Sequence, residues 1–232
     1  TLDKDGQGSL QSQANILSKT FNTIDRGPDD LVALLYTSGT TGRSKGAMLT
    51  QNNLLSNAKT LKNLWEVNED DILIHALPIF HTHGLFVALN TALLAGAKVT
   101  FLQKFEITEI IEAIRASTLL MGVPTFYTRL LADERLTARL TKNMRLFISG
   151  SAPLLAETHE EFTRRTGHYI LERYGMTETN MITSNPYNGE RRPGTVGKPL
   201  PDVEIQINDS QTGRENADGE IGMIEVRGPN VF

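Results

Sequence analysis

From residue 31 to about residue 185 the chain alternates between two hydrophobic periods, and that alternation constrains its fold more than any other feature. Short apolar runs read as strands: "LVALLY" (31–36, of the buried type), "DILIHAL", "AKVTFL", "TLLMGV", "RLFISG" and "YILERYG". Between them lie segments with helical spacing. "QNNLLSNAKTLKNLW" follows Thr50, a good N-cap, and "GLFVALNTALLA" is an apolar helix. "ITEIIEAIRAS" is amphipathic, "PTFYTRLLADERL" opens on Pro124, and "LLAETHEEFTRRTG" closes on Gly167. Such alternation predicts an α/β fold with a mostly parallel sheet flanked by helices. After residue 186 the pattern changes: "VEIQI" and "EIGMIEVRG" are strand-like, with no helix between them. The expected organisation is a polar linker or surface segment (1–30), an α/β subdomain (31–185) and a β-rich appendage (186–232).

With 232 residues, 39% of them hydrophobic, the chain can bury a sizeable core. A net charge of −4 argues against a general nucleic-acid binder. There is no cysteine, hence no disulfide framework and no thiolate metal site. The longest apolar stretch falls short of the ~20 residues needed to span a bilayer. With no signal peptide in view, the expectation is a cytoplasmic protein without membrane partners. The first residue is not Met and the last residues follow a strand-like run, so a piece of a longer chain is expected.

In open α/β sheets, ligands bind beyond the carboxyl ends of the strands. Here those junctions carry unusual residues: the stretch "YTSGTTGRSKG" (36–46), "PIFHTHG" with His81 and His83, "SGSAP", and "RYGMTETN". The first looks like a phosphate cradle but departs from the Walker pattern. Ser44 stands where that pattern wants glycine, and Gly46 where it wants Ser or Thr. Each piece has an ordinary reading by itself: a glycine-rich turn, polar loop histidines, a helix-leading turn, solvated arginines. "YGMTET" is harder to set aside. A lone carboxylate, Glu178, beside polyphosphate makes sense if it holds Mg²⁺, a hard cation that needs few protein oxygens.

"YTSGTTGRSKGAML", "SGSAPL", "YGMTET" and "RRPGTVGKPLP" resemble, in order and spacing, the motifs of the adenylate-forming superfamily of acyl-CoA synthetases, luciferases and adenylation domains. The fuller pattern, "FHTHGLF" with "GVPTFYTRL" and "LERYGMTETNM", is similar to the malonyl-CoA synthetases. The resemblance implies an ATP-dependent acid–thiol ligase, with ATP, malonate and coenzyme A as substrates and Mg²⁺ as the metal. The glycine-rich loop would hold the β- and γ-phosphates through backbone N–H groups and the side chains of Thr37, Ser38, Thr40 and Thr41, around Gly39 and Gly42. Lys45 would add a point charge. Thr177 would contact the α-phosphate and Glu178 would hold Mg²⁺. Ser151, Ala152 and Pro153 would border the nucleotide and acyl sites. Tyr174 would stack on adenine, with Glu172, Gly175 and Met176 in the same wall.

Malonate is a dianion, so its unreactive carboxylate needs a partner in a pocket that relatives line with apolar groups. The resemblance points to Arg129, Ser151 and Arg173 as that clamp, bordered by His83, because a guanidinium matches a carboxylate bidentately. Arg191 and Arg192 are the next candidates. The family's ribose-binding aspartate and the adenylation lysine of its C-terminal domain lie outside this sequence, so the resemblance covers about half of a typical member. The alternatives are a ligase for methylmalonate or another short carboxylate, and a non-catalytic nucleotide-binding fragment.

Overall fold

The computed structural model describes residues 1–3, 5–37 and 45–232. Helix α1 (Ser9–Ile16) buries none of its side chains. The run "LVALLY" becomes strand β1 (Leu31–Thr37), which pairs antiparallel with β2 (Lys45–Thr50) in a separate two-stranded sheet. It is therefore not the buried strand of the parallel sheet that its apolar run predicts. Leu31, Leu34 and Tyr36 stay exposed, and β2 supplies the inward residues, Ala47 and Leu49. An unbroken apolar run does not say which neighbours it will have.

Helix α2 (Gln51–Leu64) starts at a reciprocal cap. Thr50 Oγ1 accepts the Asn53 N–H, and Asn53 Oδ1 accepts the Thr50 N–H. The Asn53 amide goes on to donate to the carbonyls of Pro229 and Val231. One turn later the buried Asn57 exchanges hydrogen bonds with the backbone of Met181. Two side-chain amides thus fasten the helix, one to the last residues of the chain and one to Met181.

The main sheet follows: β3 (Ile72–His75), β4 (Lys98–Phe101), β5 (Leu119–Gly122), β6 (Leu146–Ser149), β7 (Leu171–Met176), β8 (Asn180–Ser184) and β9 (Lys198–Pro199). Its order is β4-β3-β5-β6-β7-β8-β9, parallel from β4 to β7 and antiparallel beyond. Helices α3 (Asn90–Ala95), α4 (Ile107–Ile114), α5 (Pro124–Leu131) and α6 (Ala156–Thr166) supply the crossovers. Strands β5 and β6 are buried throughout, as a sheet covered on both faces requires. Ile110, Ile111 and Ile114 of α4 and Phe162 of α6 pack on it, fully buried. The mostly parallel sheet flanked by helices is the fold class the alternation predicts. Beyond the sheet, β10 (Glu204–Asn208) and β11 (Met223–Arg227) form a second antiparallel pair.

The apolar segment "GLFVALNTALLA" is not one regular helix. It opens with a π-helical stretch, His83–Leu89, and continues as α3. Gly84 permits this, because a Cβ there would lie 2.3 Å from the Pro78 carbonyl oxygen. His75 Nε2 sits 2.9 Å from the Gly84 carbonyl. The wide turn sets His83 facing the sheet's carboxyl end; π-bulges recur at such sites. Among the described residues, no helix is long and apolar enough to cross a membrane.

Candidate active site

Two adjoining cavities open beyond the carboxyl ends of β5, β6 and β7. The first, about 480 Å³, lies between Pro78, His83, Phe126, Arg173, Met176 and Thr177. The second, about 450 Å³, lies between Ser149, Pro153, Glu172, Tyr174, Gly194 and Val196. Ser151, Arg173 and Gly175 belong to both.

Each wall residue is placed by a local necessity. Ser151 holds φ at +69°, a left-handed conformation that a non-glycine residue adopts at a cost. That turn carries Ser151 Oγ to 3.1 Å from His83 Nδ1. Gly150, just before it, leaves room for Arg173: a Cβ there would meet the guanidinium at 2.4 to 2.7 Å. Gly175 allows the tight turn from β7 to β8, since a Cβ would lie 1.9 Å from the Asn180 carbonyl oxygen.

Arg173 dominates the electrostatics. It is 3% exposed, and its Nε and Nη2 find no hydrogen-bond partner among the described residues. Burial lowers its pKa to about 10, so it stays a cation at neutral pH. His83 is buried as well, and its Nε2 also lacks a partner. Burial first, then the charges of Arg173 and His75, hold His83 well below the usual histidine range, so the ring is neutral. A buried cation, an imidazole nitrogen and a hydroxyl at one wall are a donor set suited to an anion. Leaving such groups unpaired is costly, and a carboxylate satisfies them together.

The predicted residues divide as follows. His83, Ser151, Arg173, Gly175, Met176 and Thr177 come together around the first cavity. Ala152, Pro153, Glu172 and Tyr174 join Ser151 around the second. Glu178 is half-buried on the turn after β7, and its carbonyl accepts the Phe232 N–H. Its carboxylate makes no ion pair among the described residues. Thr37 and Lys45 face each other across the ends of the β1–β2 hairpin. Ser38, Gly39, Thr40, Thr41 and Gly42 lie outside the described residues.

Arg129 is not brought into the clamp. It is exposed on α5, with its guanidinium over the Phe105 ring, 4.4 Å from the centroid. The physical reason is helix geometry. Phe126, one turn earlier, takes the cavity-facing position and packs tilted against Phe105, with ring centroids 4.3 Å apart, which draws Arg129 to the outer side of that ring. Arg191 is spent on the carbonyls of Pro186, Tyr169 and Tyr187. Arg192 lines a separate cavity of about 820 Å³ beside β9, with Lys198 and Leu64. That cavity is larger but gathers no orphaned buried polar group at its wall. Sequence reasoning missed Gly150, whose bare Cα seats the arginine, and Phe126. It also missed two buried residues behind the second cavity, His159 and Asn185.

The fold and the joined cavities define a class, the adenylate-forming enzyme fold. Within it the chain belongs to the AMP-binding enzyme family, whose profile matches residues 2–232. It is 40% identical over 233 residues to the malonate–CoA ligase of Arabidopsis thaliana, covering 92% of this chain and 38% of that protein. It is 35% identical over 235 residues to the human mitochondrial malonate–CoA ligase ACSF3, covering 86% and 41%. Among solved structures it is similar to ATP-bound MatB from Rhodopseudomonas palustris. That match has 61% identity and a TM-score of 0.96, over all of this chain and 46% of that one. The chain thus spans roughly two fifths of the length of these curated relatives.

Proposed function

We propose that the protein to which this chain belongs is an ATP-dependent ligase that joins malonate to coenzyme A. The observation that carries this reading is Arg173, a buried cation with two unpartnered nitrogens in the wall of an otherwise largely apolar cavity. A monocarboxylate would leave that charge unanswered; the far carboxylate of malonate pairs with it, beside Ser151 Oγ and His83 Nε2. The reading has support in the malonate–CoA ligases among the relatives and in ATP-bound MatB.

In this reading ATP occupies the second cavity, with adenine against Tyr174 and the phosphates directed toward Thr177 and the glycine-rich loop. The reactive carboxylate oxygen bonds to the α-phosphorus, and the bond from that phosphorus to the bridging oxygen breaks. Pyrophosphate leaves with the electron pair. The thiol sulfur of coenzyme A, losing its proton, then bonds to the acyl carbon, and AMP leaves. Arg173 fixes which carboxylate reacts by holding the other one. Thr177 borders the first cavity where the two substrates meet. Lys45 balances charge on the departing phosphates, and the hydroxyls of Thr37, Ser38, Thr40 and Thr41 donate hydrogen bonds to them. Glu178, half-buried and without an ion-pair partner among the described residues, suits Mg²⁺ as a single protein ligand. Held by Glu178, the ion would supply charge neutralisation. Residues 31–185 hold the nucleotide and acid, and 186–232 add the β-rich part that closes the second cavity at Gly194. A cytoplasmic setting fits these substrates.

One further observation favours a second substrate. Leu77, Val123, Phe126 and Met181 give the first cavity an apolar side, which suits the α-methyl of methylmalonate. A malonyl-CoA ligase 40% identical to this chain is known with methylmalonyl-CoA and AMP bound. The test is ATP–pyrophosphate exchange by the whole protein across malonate, methylmalonate and butyrate. Exchange supported by butyrate as well as by malonate would remove the dicarboxylate reading.

A further inference from the structure

We propose that His159 is a positioning residue for the nucleotide, acting through Glu172 on the wall of the second cavity; this rests on reading that cavity as the nucleotide site. His159 lies on α6 and is fully buried. Its Nδ1 is 3.1 Å from Glu172 Oε1. The same oxygen accepts the N–H of Gly194, also at 3.1 Å. One carboxylate oxygen therefore joins helix α6 to the loop that walls the cavity. Gly194 can present its N–H there because it holds φ at +74°, a conformation open to glycine.

Asn185 makes the rest of the attachment. Its backbone N–H and its side-chain amide donate to the Glu172 carbonyl, and the amide also donates to the Thr195 carbonyl. Its Oδ1 accepts the Arg192 N–H. These bonds fix the base of the loop through backbone groups. Only the Glu172 carboxylate reaches Gly194 at the cavity, so the wall's position there depends on the carboxylate's rotamer.

His159 sets that rotamer. Its other ring nitrogen, Nε2, is buried and has no partner among the described residues, so its ring hydrogen bonding there is directed at Glu172. A residue needed only for packing at this spot would be apolar, since an orphaned ring nitrogen costs stability. Without the Nδ1–H donor the carboxylate keeps one donor of two. It is then free to turn away from Gly194, and the wall formed by Gly194 and Val196 loses its anchor.

The experiment uses the whole protein and the variants His159→Leu, His159→Asn and His159→Gln. The asparagine amide nitrogen falls where Nδ1 was; the glutamine amide nitrogen falls near Nε2. Affinity is read with trinitrophenyl-ATP fluorescence, and KM for ATP and for malonate by pyrophosphate exchange. His159→Leu should weaken nucleotide binding about tenfold, the order of one hydrogen bond to a charged group. KM for malonate should stay within about twofold, because Glu172 does not line the first cavity. His159→Asn should recover most of the nucleotide affinity and His159→Gln should not. If the leucine variant does not fold, the asparagine–glutamine comparison decides. Equal nucleotide affinity in those two variants overturns the proposal. So does a parallel rise in both KM values with a lower Tm. If the unaltered protein shows no malonate-dependent exchange, the functional reading fails, and the order of trinitrophenyl-ATP affinities still tests His159.

Discussion

Replacing Arg173 with leucine should convert a selector of dicarboxylates into a pocket nearly indifferent to the second charge. Arg173 is 3% exposed, with Nε and Nη2 unpartnered beside Ser151 and His83, so malonate's far carboxylate finds its strong donors there. Truncating one partner of a buried charge pair costs roughly 2–5 kcal/mol. That is about 30- to several-thousand-fold in kcat/KM for malonate, much of it the penalty of burying an unanswered carboxylate. Butyrate carries no such charge; it should lose little and gain some affinity for the now apolar wall. The quantity to measure is the ratio of kcat/KM for malonate to that for butyrate, in the whole protein. Leucine also removes the guanidinium that lies against Gly150, so Tm of the variant should be followed alongside. An unchanged ratio, with both acids equally slowed, would refute the clamp and return Arg173 to a structural role. Arg129→Leu should shift the same ratio much less, because an exposed guanidinium over Phe105 acts through solvent.

Three further outcomes follow from particular side chains. Glu178→Gln should weaken adenylation at limiting Mg²⁺ and be partly rescued by excess Mg²⁺; unchanged activity at limiting Mg²⁺ would exclude the metal role. Ser151→Gly should relieve a left-handed backbone and stabilise the fold by about 1 kcal/mol in denaturant titrations. It should also raise KM for malonate by removing Oγ. Asp71 is held below its ordinary value of 3.8: burial pushes it up, but hydrogen bonds from Arg145, the Asn68 N–H and Thr118 outweigh that. A depressed carboxyl contributes stability above its unfolded value and loses it as pH falls through the lower folded one. Asp71→Asn should therefore flatten the decline in Tm below about pH 4.

Much of the fold was legible because local signals agreed with one another. Thr50 capped α2, Pro124 opened α5, and Gly167 closed α6 with φ at +81°. The failures came where tertiary partners decided. Leu31–Tyr36 is as apolar as a central strand, yet among the described residues its strand partner is β2 alone. Strand β8 begins at Asn180, itself left-handed, and "NMITS" lacks the alternation that would announce a strand. The π-helical opening at His83 depends on contacts with Pro78 and His75 that no window of sequence contains. At the site, His83, Ser151 and residues 174–177 line the cavities, because their motifs sit at strand ends. Arg129 stands outside the cavities, because helical spacing does not tell which of two neighbours takes the inward face. His159 and Asn185 gave no signal, since their roles consist of bonding to groups distant in sequence, and "SGSAP" did not tell that Gly150 leaves space for Arg173.

Arg173 and Ser151 stand in both cavities, and this shared wall has a thermodynamic consequence. A dianion in the first cavity neutralises a positive charge that the second cavity also feels. In the proposed reading, acid and nucleotide then draw on one source of potential, and each weakens the other's binding. Linkage makes that penalty equal in both directions, whichever ligand arrives first. It also makes it specific to the acid's second charge: malonate should antagonise the nucleotide where butyrate does not. The wall that confers selectivity for a dicarboxylate would thereby oppose the joint occupancy that the reaction requires, leaving cations at the phosphate end to offset it.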